Sequence, residues 1–567
     1  MDELIAYLEE EGFSLSSPLR SQGPVIFQGL LNLQGKSFLL ELRFLSRHYD
    51  YPDTFLIEYP FDSLLRNELG FRHINKNGKI CHTDESQSWW DSANAVRLTA
   101  GVLEKVKKIL NDNLSETLDY EYFFRDFAGY WAAKEELYLS SFPHNTLKYN
   151  KIKELSSDRQ WLVNPQSPPK WLKKDSIELD CSWLTFHLKS PPLPKTETWP
   201  PLRFKDLESW LKASEPNAPM YLLNMLKRFV FNKRKDKQSG YSEEVGILFT
   251  WSENGKENLL GGAVKFKVPE VSAQAIANNR IKNAIKSLAL VNPVLIRYSV
   301  TRADPAYIQE RNLPFNTPTL KDKTIVLIGA GAIGGHLSHL LCSQGAGWGR
   351  KGKLHIVDFD FLSTENIGRH FLGMEFVGYS KVNALVIALN KSFPHLTLVP
   401  HHDRIYNKWE LIDKADLIID ATGSQTTAIS LADYMSNLKD KPPIFHSWIQ
   451  GHGIATGVLL KSDKSHACYR CLWQLENNKY IPRYKLAKNL ESNLPVFVGC
   501  HKSYYPYVAS TAITAAIQVS QMISDYLSGT IKNNLRFNIL NKKECYNRPD
   551  THAQVLKECP FCSRQSS

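Results

Sequence analysis

The chain has 567 residues, 43% of them hydrophobic and 22% charged, an ordinary globular composition with room for roughly three domains. No apolar run approaches the ~20 residues that span a bilayer. The acidic, amphipathic start MDELIAYLEEEG also lacks the order of a secretory signal, so a cytoplasmic location and no membrane association are expected. Lysine plus arginine (69) exceeds aspartate plus glutamate (58), but the excess is spread along the chain. The densest run, LKRFVFNKRKDKQSGYS (226–242), reads in its second half as a solvated loop, so direct nucleic-acid binding is not expected.

Residues 1–140 read as an α+β unit. LIAYLEEEGF is an amphipathic helix, and VIFQGLLNL, SFLLELRFL and DTFLIEYP are strands. The loop KICHTDESQSWW (79–90) carries Cys81, and in the following helix Val96, Leu98, Val102, Val106 and Leu110 recur at helical spacing. Residues 141–310 form an α+β linking domain with proline-rich connectors, a hairpin of VGILFTW and GGAVKFKV, and a helix in ANNRIKNAIKSLAL. No motif there attaches to chemistry.

From 311 to 567 the pattern is α/β. TIVLI runs into GAGAIGG, which sets Gly329, Gly331 and Gly334 in G-x-G-x-x-G register before a helix. The first glycine permits the turn, the second lets the backbone approach a phosphate, and the third allows close helix–strand packing. Asp358, in KLHIVDFD 29 residues after Gly329, suits a ribose hydroxyl. Dinucleotide oxidoreductases share these features. Asn366, Arg369 and Lys381 follow, and hydride transfer needs no such cations. Cleavage of ATP between its α and β phosphates does, to hold the leaving pyrophosphate.

Nine cysteines are present. Cys468/Cys471 and Cys559/Cys562 form two C-x-x-C knuckles with 87 residues between them, a pattern that favours structural Zn2+ over a redox pair or unligated thiols. Zinc there would pin the C-terminus onto a distant loop.

The glycine turn, D-F-D, N-x-x-R, the Lys381 helix, LIIDATG and both knuckles resemble the ThiF/MoeB/HesA superfamily of ubiquitin-activating-type adenylation domains, over about 311–565. The resemblance implies a Rossmann-like fold that adenylates the C-terminal carboxylate of a partner protein. It assigns ATP to Gly329, Gly331, Gly334, Asp358, Asn366, Arg369 and Lys381, and zinc to the four knuckle cysteines. Relatives carry a magnesium-ligating acid just past the third strand. Here Gly423 occupies that stretch, which leaves Asp420 as the nearest acid for Mg2+. A homodimer is implied too, and Arg302 and Arg311 are the candidates for an arginine lent across it.

Cys500, in NLPVFVGCHKSYYPYVAS, falls where activating-type relatives carry the thiol that takes the acyl group, and His501 and Lys502 beside it would favour the thiolate. Cys545 is its competitor. Asn77, Gly78, Ile80, Cys81 and Trp89 match the N-G-x-I-C…W segment of ubiquitin-conjugating enzymes in register, a resemblance covering about 1–140. His73 takes the place of the asparagine that steadies the oxyanion in that family. The fused order resembles the bacterial conjugating–activating enzyme of CBASS antiphage operons. That implies a relay from adenylate to Cys500 to Cys81 to a target lysine or other amine, with a cGAS-like nucleotidyltransferase (CD-NTase) supplying the carboxylate. A β-grasp ubiquitin-like modifier, a sulfur-carrier adenylyltransferase and a nicotinamide oxidoreductase are the alternatives.

Overall fold

The computed structural model describes the chain except residues 1, 17–23, 45–51, 59–72, 75–77, 83–93, 115–126, 128–130, 132, 143–147, 167–168, 170–171, 173–175, 189–199, 232–242, 254–255, 315, 490–493, 500–501 and 563–567. Cys500, His501, Asn77, Trp89 and the basic run after 231 therefore lie outside the described residues. The chain divides into two compact units, Met1–Asp304 and Pro305–Ser567.

The first unit begins with helix α1 (Asp2–Glu10) and an antiparallel meander of β1 (Phe13–Leu15), β2 (Val25–Leu33), β3 (Lys36–Phe44), β4 (Asp53–Glu58) and β5 (Lys79–Ile80), in that spatial order. Along β2, Val25, Phe27 and Gly29 are buried at alternate positions, the period that puts one strand face on a core. Gln34 and Gly35 both take positive φ (49° and 77°), the two-residue turn whose twist matches a hairpin. Helix α2 (Ala95–Leu114) buries Thr99, Val102, Leu103, Val106 and Leu110 at steps of three and four. The four apolar ones share a core with Leu4, Leu8, Phe27, Phe38, Leu40 and Leu42.

The middle of the chain closes a barrel in the order β10-β11-β12-β6-β8-β7-β9. Its strands are β6 (Glu135–Leu139), β7 (Lys148–Glu154), β8 (Gln160–Val163), β9 (Ser176–Leu188), β10 (Glu243–Glu253), β11 (Lys256–Val268) and β12 (Ile296–Arg302). The expected hairpin is β10–β11. Strand β6, which precedes residue 140, belongs to this barrel through parallel pairing with β12 and β8. Trp183 fills the interior beside Tyr149, Leu248 and Tyr298, and Gly246 leaves room for its ring, since a Cβ there would lie 2.1 Å from it.

The second unit is a seven-stranded sheet in the order β15-β14-β13-β16-β17-β18-β23. Its strands are β13 (Thr324–Ile328), β14 (Lys353–Val357), β15 (Leu398–His401), β16 (Leu417–Asp420), β17 (Ile444–Gln450), β18 (Ala455–Lys461) and β23 (Leu535–Ile539). The five from β15 to β17 are parallel, and β13 and β16 are apolar runs buried in the middle of the sheet. The chain runs outward from β13 to β14 and β15, then returns to the other side at β16. That reversal opens a crevice at the carboxyl ends of β13 and β16. Two small hairpins, β19 (Trp473–Glu476) with β20 (Lys479–Pro482) and β21 (Val496–Gly499) with β22 (Lys502–Tyr504), lie between β18 and β23 in sequence. Helix α3 (Ala332–Ser343) follows the glycine turn, α4 (Lys381–Ser392) follows β14, and α5 (Ala509–Leu527) buries Ala512, Ala515, Ala516 and Val519 in the same core as Leu337 and Leu341 of α3.

Candidate active site and cysteine centres

Residues 329–335 turn sharply from β13 into α3, and each glycine has a distinct physical reason. Gly329 sits at φ 94°, which side-chain-bearing residues rarely adopt. A Cβ at Gly334 would lie 1.8 Å from the Gly329 carbonyl oxygen, so only glycine lets the helix come this close to the turn. Gly331 caps α3, and a Cβ there would meet nothing within 4 Å, because it faces an open cavity. Asp358, past the end of β14, accepts the Ala330 N–H at 2.6 Å through Oδ2 and the Asp360 N–H at 2.8 Å through Oδ1.

The cavity has a volume of about 840 Å³, and Gly329, Gly331, Asp358, Asn366, Arg369 and Lys381 all line it. The ammonium of Lys381 is 2.9 Å from the Asp360 carboxylate, with the lysine itself only 7% exposed. Arg369 donates to the Tyr505 carbonyl at 3.2 Å and lies 4.7 Å from the Tyr507 ring centre. The side-chain oxygen of Asn366 accepts the Ser363 N–H at 3.1 Å, which fixes the short turn carrying it. The cavity brings the glycine turn together with the cations of Arg369 and Lys381, a combination that suits a polyanion. The Arg404 guanidinium, 3.7 Å from the centre of the Phe359 ring, also lines the cavity, as do Asp403 and Tyr406.

Asp420 stands apart from the expected ligand set. It is 3% exposed, and its oxygens accept the Thr422 hydroxyl (2.6 Å) and backbone N–H (3.1 Å), and pair with His446 Nδ1 at 2.9 Å. Its carboxylate is spent on shaping the 421–424 turn, which presents Thr422 and Gly423 to the cavity in its place. Arg302 is likewise committed, with Nε 2.8 Å from Asp304 within the first unit. Arg311 lies 5.7 Å from the Tyr307 ring centre.

The four knuckle cysteines converge, with every sulfur within 4.8 Å of the others. Cys468 is 3.7 Å from Cys471 and 3.6 Å from Cys559, and Cys471 is 3.7 Å from Cys562. Zn–S bonds of about 2.3 Å in a tetrahedron set sulfurs about 3.8 Å apart, so the donors fit structural zinc. The Leu556 N–H points at the Cys471 sulfur at 3.4 Å, a bond that supports a thiolate. As bare thiols the group is in conflict, with its mutual hydrogen bonds raising Cys468 and lowering Cys559.

In the first unit, Cys81 is exposed at the end of β5, and its N–H donates to the His73 carbonyl at 2.7 Å. An Ile74–Ile80 bridge draws the two segments together, and His73 sits at φ 61°, an uncommon backbone for a non-glycine residue. Gly78 is obligatory, because its φ is 80° and a Cβ would fall 2.2 Å from the Leu56 carbonyl oxygen. Burial pushes the neighbouring His82 imidazole below its usual range, and its Nε2 is 3.1 Å from the Pro52 carbonyl. Cys545 is 2% exposed with its sulfur against the Ile454 carbonyl, and burial pushes its thiol up, so it makes a poor nucleophile.

Two family models match the chain: the ThiF family over residues 312–560 and the Prokaryotic E2 family B over 24–140. The ATP-dependent ubiquitin transferase-like protein Cap2 of Pseudomonas aeruginosa is 30% identical over 392 residues, 68% of this chain and 66% of that protein. Proteins of the same name from Escherichia coli and Vibrio cholerae are each 26% identical, over 84% and 86% of this chain and 83% and 86% of their own length. The chain is a member of this family of fused E2-like and ThiF-domain enzymes. Its ThiF segment contains the cavity and three of the four clustered cysteines, with Cys562 two residues past its end, and its E2-like segment contains Cys81.

The ThiF domain also shows what sequence reading passes over. His370, Arg404, Tyr505 and Tyr507 line the cavity without belonging to any motif. The aromatic run YYPY follows Cys500 in sequence, and its approach to Arg369 is set by the fold, since 136 residues separate Arg369 from Tyr505.

Proposed function

We propose that this enzyme activates the C-terminal carboxylate of a partner protein and hands it through two cysteines to an amine. In the first step a carboxylate oxygen attacks the α-phosphorus of ATP and pyrophosphate leaves. Gly331 N–H, Arg369 and Lys381 offset the negative charge gathering on the phosphates, while Asp358 takes the ribose hydroxyls. Mg2+ would come with ATP, and Asp403 and Asp360, the latter paired with Lys381, are carboxylates of the cavity that would hold it. Next the Cys500 thiolate attacks the acyl-adenylate and expels AMP. Cys81 then displaces Cys500 by thioester exchange, and a lysine or other amine displaces Cys81, leaving an amide. His73 would donate a hydrogen bond to the oxyanion at Cys81.

The observation that carries this reading is the presence of Arg369 and Lys381 in the same cavity as the glycine turn and Asp358. A nicotinamide enzyme rests its pyrophosphate on the turn and has no leaving group to neutralise. A sulfur-carrier adenylyltransferase would have no use for Cys81. The relatives' character as ubiquitin transferase-like proteins supports conjugation as the outcome, and a CD-NTase of an antiphage CBASS system is the proposed source of the carboxylate. The test is partner-dependent ATP–pyrophosphate exchange, followed by mass spectrometry of trapped thioesters. Exchange with adducts on Cys500 and Cys81 is expected. NADH binding without exchange, or adducts on Cys500 that never reach Cys81, overturns the relay. His73→Ala should load Cys81 normally and discharge it slowly.

A further inference from the structure

The adenylation reading requires the Gly331 N–H to face the nucleotide phosphates, and an ordinary loop does not guarantee that. Ala330 lies between the first two motif glycines, and both its polar groups are held. Its N–H donates to Asp358 Oδ2 at 2.6 Å, and its carbonyl lies 2.7 Å from His370 Nε2. His370 is only 8% exposed, and its orientation is fixed at the other nitrogen, where Nδ1 accepts the Leu372 N–H at 3.0 Å. With Nδ1 an acceptor, the proton is on Nε2 and points at Ala330. A planar trans peptide places its C=O and the next residue's N–H on opposite sides. Pulling the Ala330 carbonyl toward His370 therefore aims the Gly331 N–H the other way, and Gly331 faces the cavity. Gly335, outside the three-glycine motif, eases the fit of the imidazole: a Cβ there would lie 3.2 Å from Phe371 Cβ and 3.3 Å from His370 Cε1.

We propose that His370 is a positioning residue that orients the Ala330–Gly331 peptide, with Asp358 holding the preceding Gly329–Ala330 peptide through the Ala330 N–H, so that the phosphate-binding N–H is aimed before ATP arrives. The proposal rests on the adenylation reading for its reaction and on the geometry alone for nucleotide binding.

The test measures ATP affinity by calorimetry and the ATP KM of pyrophosphate exchange in the full-length chain. His370→Ala should weaken ATP about tenfold to a hundredfold, the worth of one hydrogen bond serving a charged group. His370→Gln keeps a donor for Ala330 and should restore most of it. His370→Phe keeps the ring and loses the donor, and should not. Gly335→Ala, which crowds the imidazole and Phe371 from the helix side, should weaken ATP in the same direction by a smaller factor and serves if His370→Ala fails to fold. Restoration by Phe and not by Gln, or equal ATP affinity in all variants, overturns the proposal. Intact ATP binding without exchange in the parent protein counts instead against adenylation, and the affinity series still decides the role of His370.

Discussion

Substituting Gly334 by alanine is the sharpest probe of the nucleotide site, because the collision is with backbone. The new Cβ would sit 1.8 Å from the Gly329 oxygen and 2.9 Å from its carbonyl carbon. Real Cβ atoms do not come within 3.0 Å of such neighbours, so turn and helix must part by more than 1 Å. That displacement is as large as the margin between a made and a lost hydrogen bond at Ala330. A misplacement of about 1 Å at reacting groups costs on the order of a hundredfold in rate. Gly334→Ala should therefore lower pyrophosphate exchange about a hundredfold, while thioester transfer from a preloaded Cys500 to Cys81 proceeds normally. Gly331→Ala, whose Cβ meets nothing in the protein, should fold as the parent does and lose affinity only through contact with the phosphates. Parental exchange by Gly334→Ala would refute the assignment of the glycine turn to the phosphates.

The cysteine cluster should hold one zinc per chain by elemental analysis. Cys559→Ser should lose that zinc and melt the second unit earlier, and full zinc occupancy in the variant would refute the site. Acid should destabilise the protein through His370, whose burial holds its imidazole down at about 4, with Lys381 and His336 adding to the shift. The folded value lies below the ordinary 6.5, so the unfolded chain takes the proton first. The stability is complete above pH 6.5 and is lost as pH falls toward 4, by roughly 3 kcal/mol. Urea midpoints of the parent should drop more between pH 7.5 and 5 than those of His370→Gln, and parallel curves would refute this. In the first unit, Gly78→Ala should slow loading of Cys81 and leave loading of Cys500 unchanged, since its Cβ would strike the Leu56 carbonyl at 2.2 Å. Equal loading of both would show that the β4–β5 register does not matter to Cys81.

Much of the candidate site was legible because its parts are local. The glycine turn, Asp358, Asn366, Arg369 and Lys381 fall within 53 residues from first to last, and strand–turn–helix connectivity carries them to one rim. Asp420 looked like a cofactor ligand for the same reason, being an acid at a strand end. Its burial against His446 and Thr422 depends on β17 pairing beside β16, which residue spacing does not encode. His370 escaped notice because its partner is a backbone carbonyl, and a carbonyl leaves no mark in sequence. The barrel was unreadable for a related reason: β6 pairs with β12 from more than 150 residues away, and short apolar runs do not name their neighbours.

By itself the sequence determined which segments could become strand, turn or helix, which thiols came in pairs, and which residues could meet a phosphate. Periodicity and steric permission are properties of a few adjacent residues, so they survive without the fold. Only the tertiary structure decided which polar groups remain available after folding. It buried Cys545 and Asp420, left Cys81 at the surface, drew Cys468 and Cys559 together across 91 residues, and turned the Ala330 peptide toward His370. Availability is a balance of burial and partners set by chain segments far apart in sequence, and it exists only once they have packed.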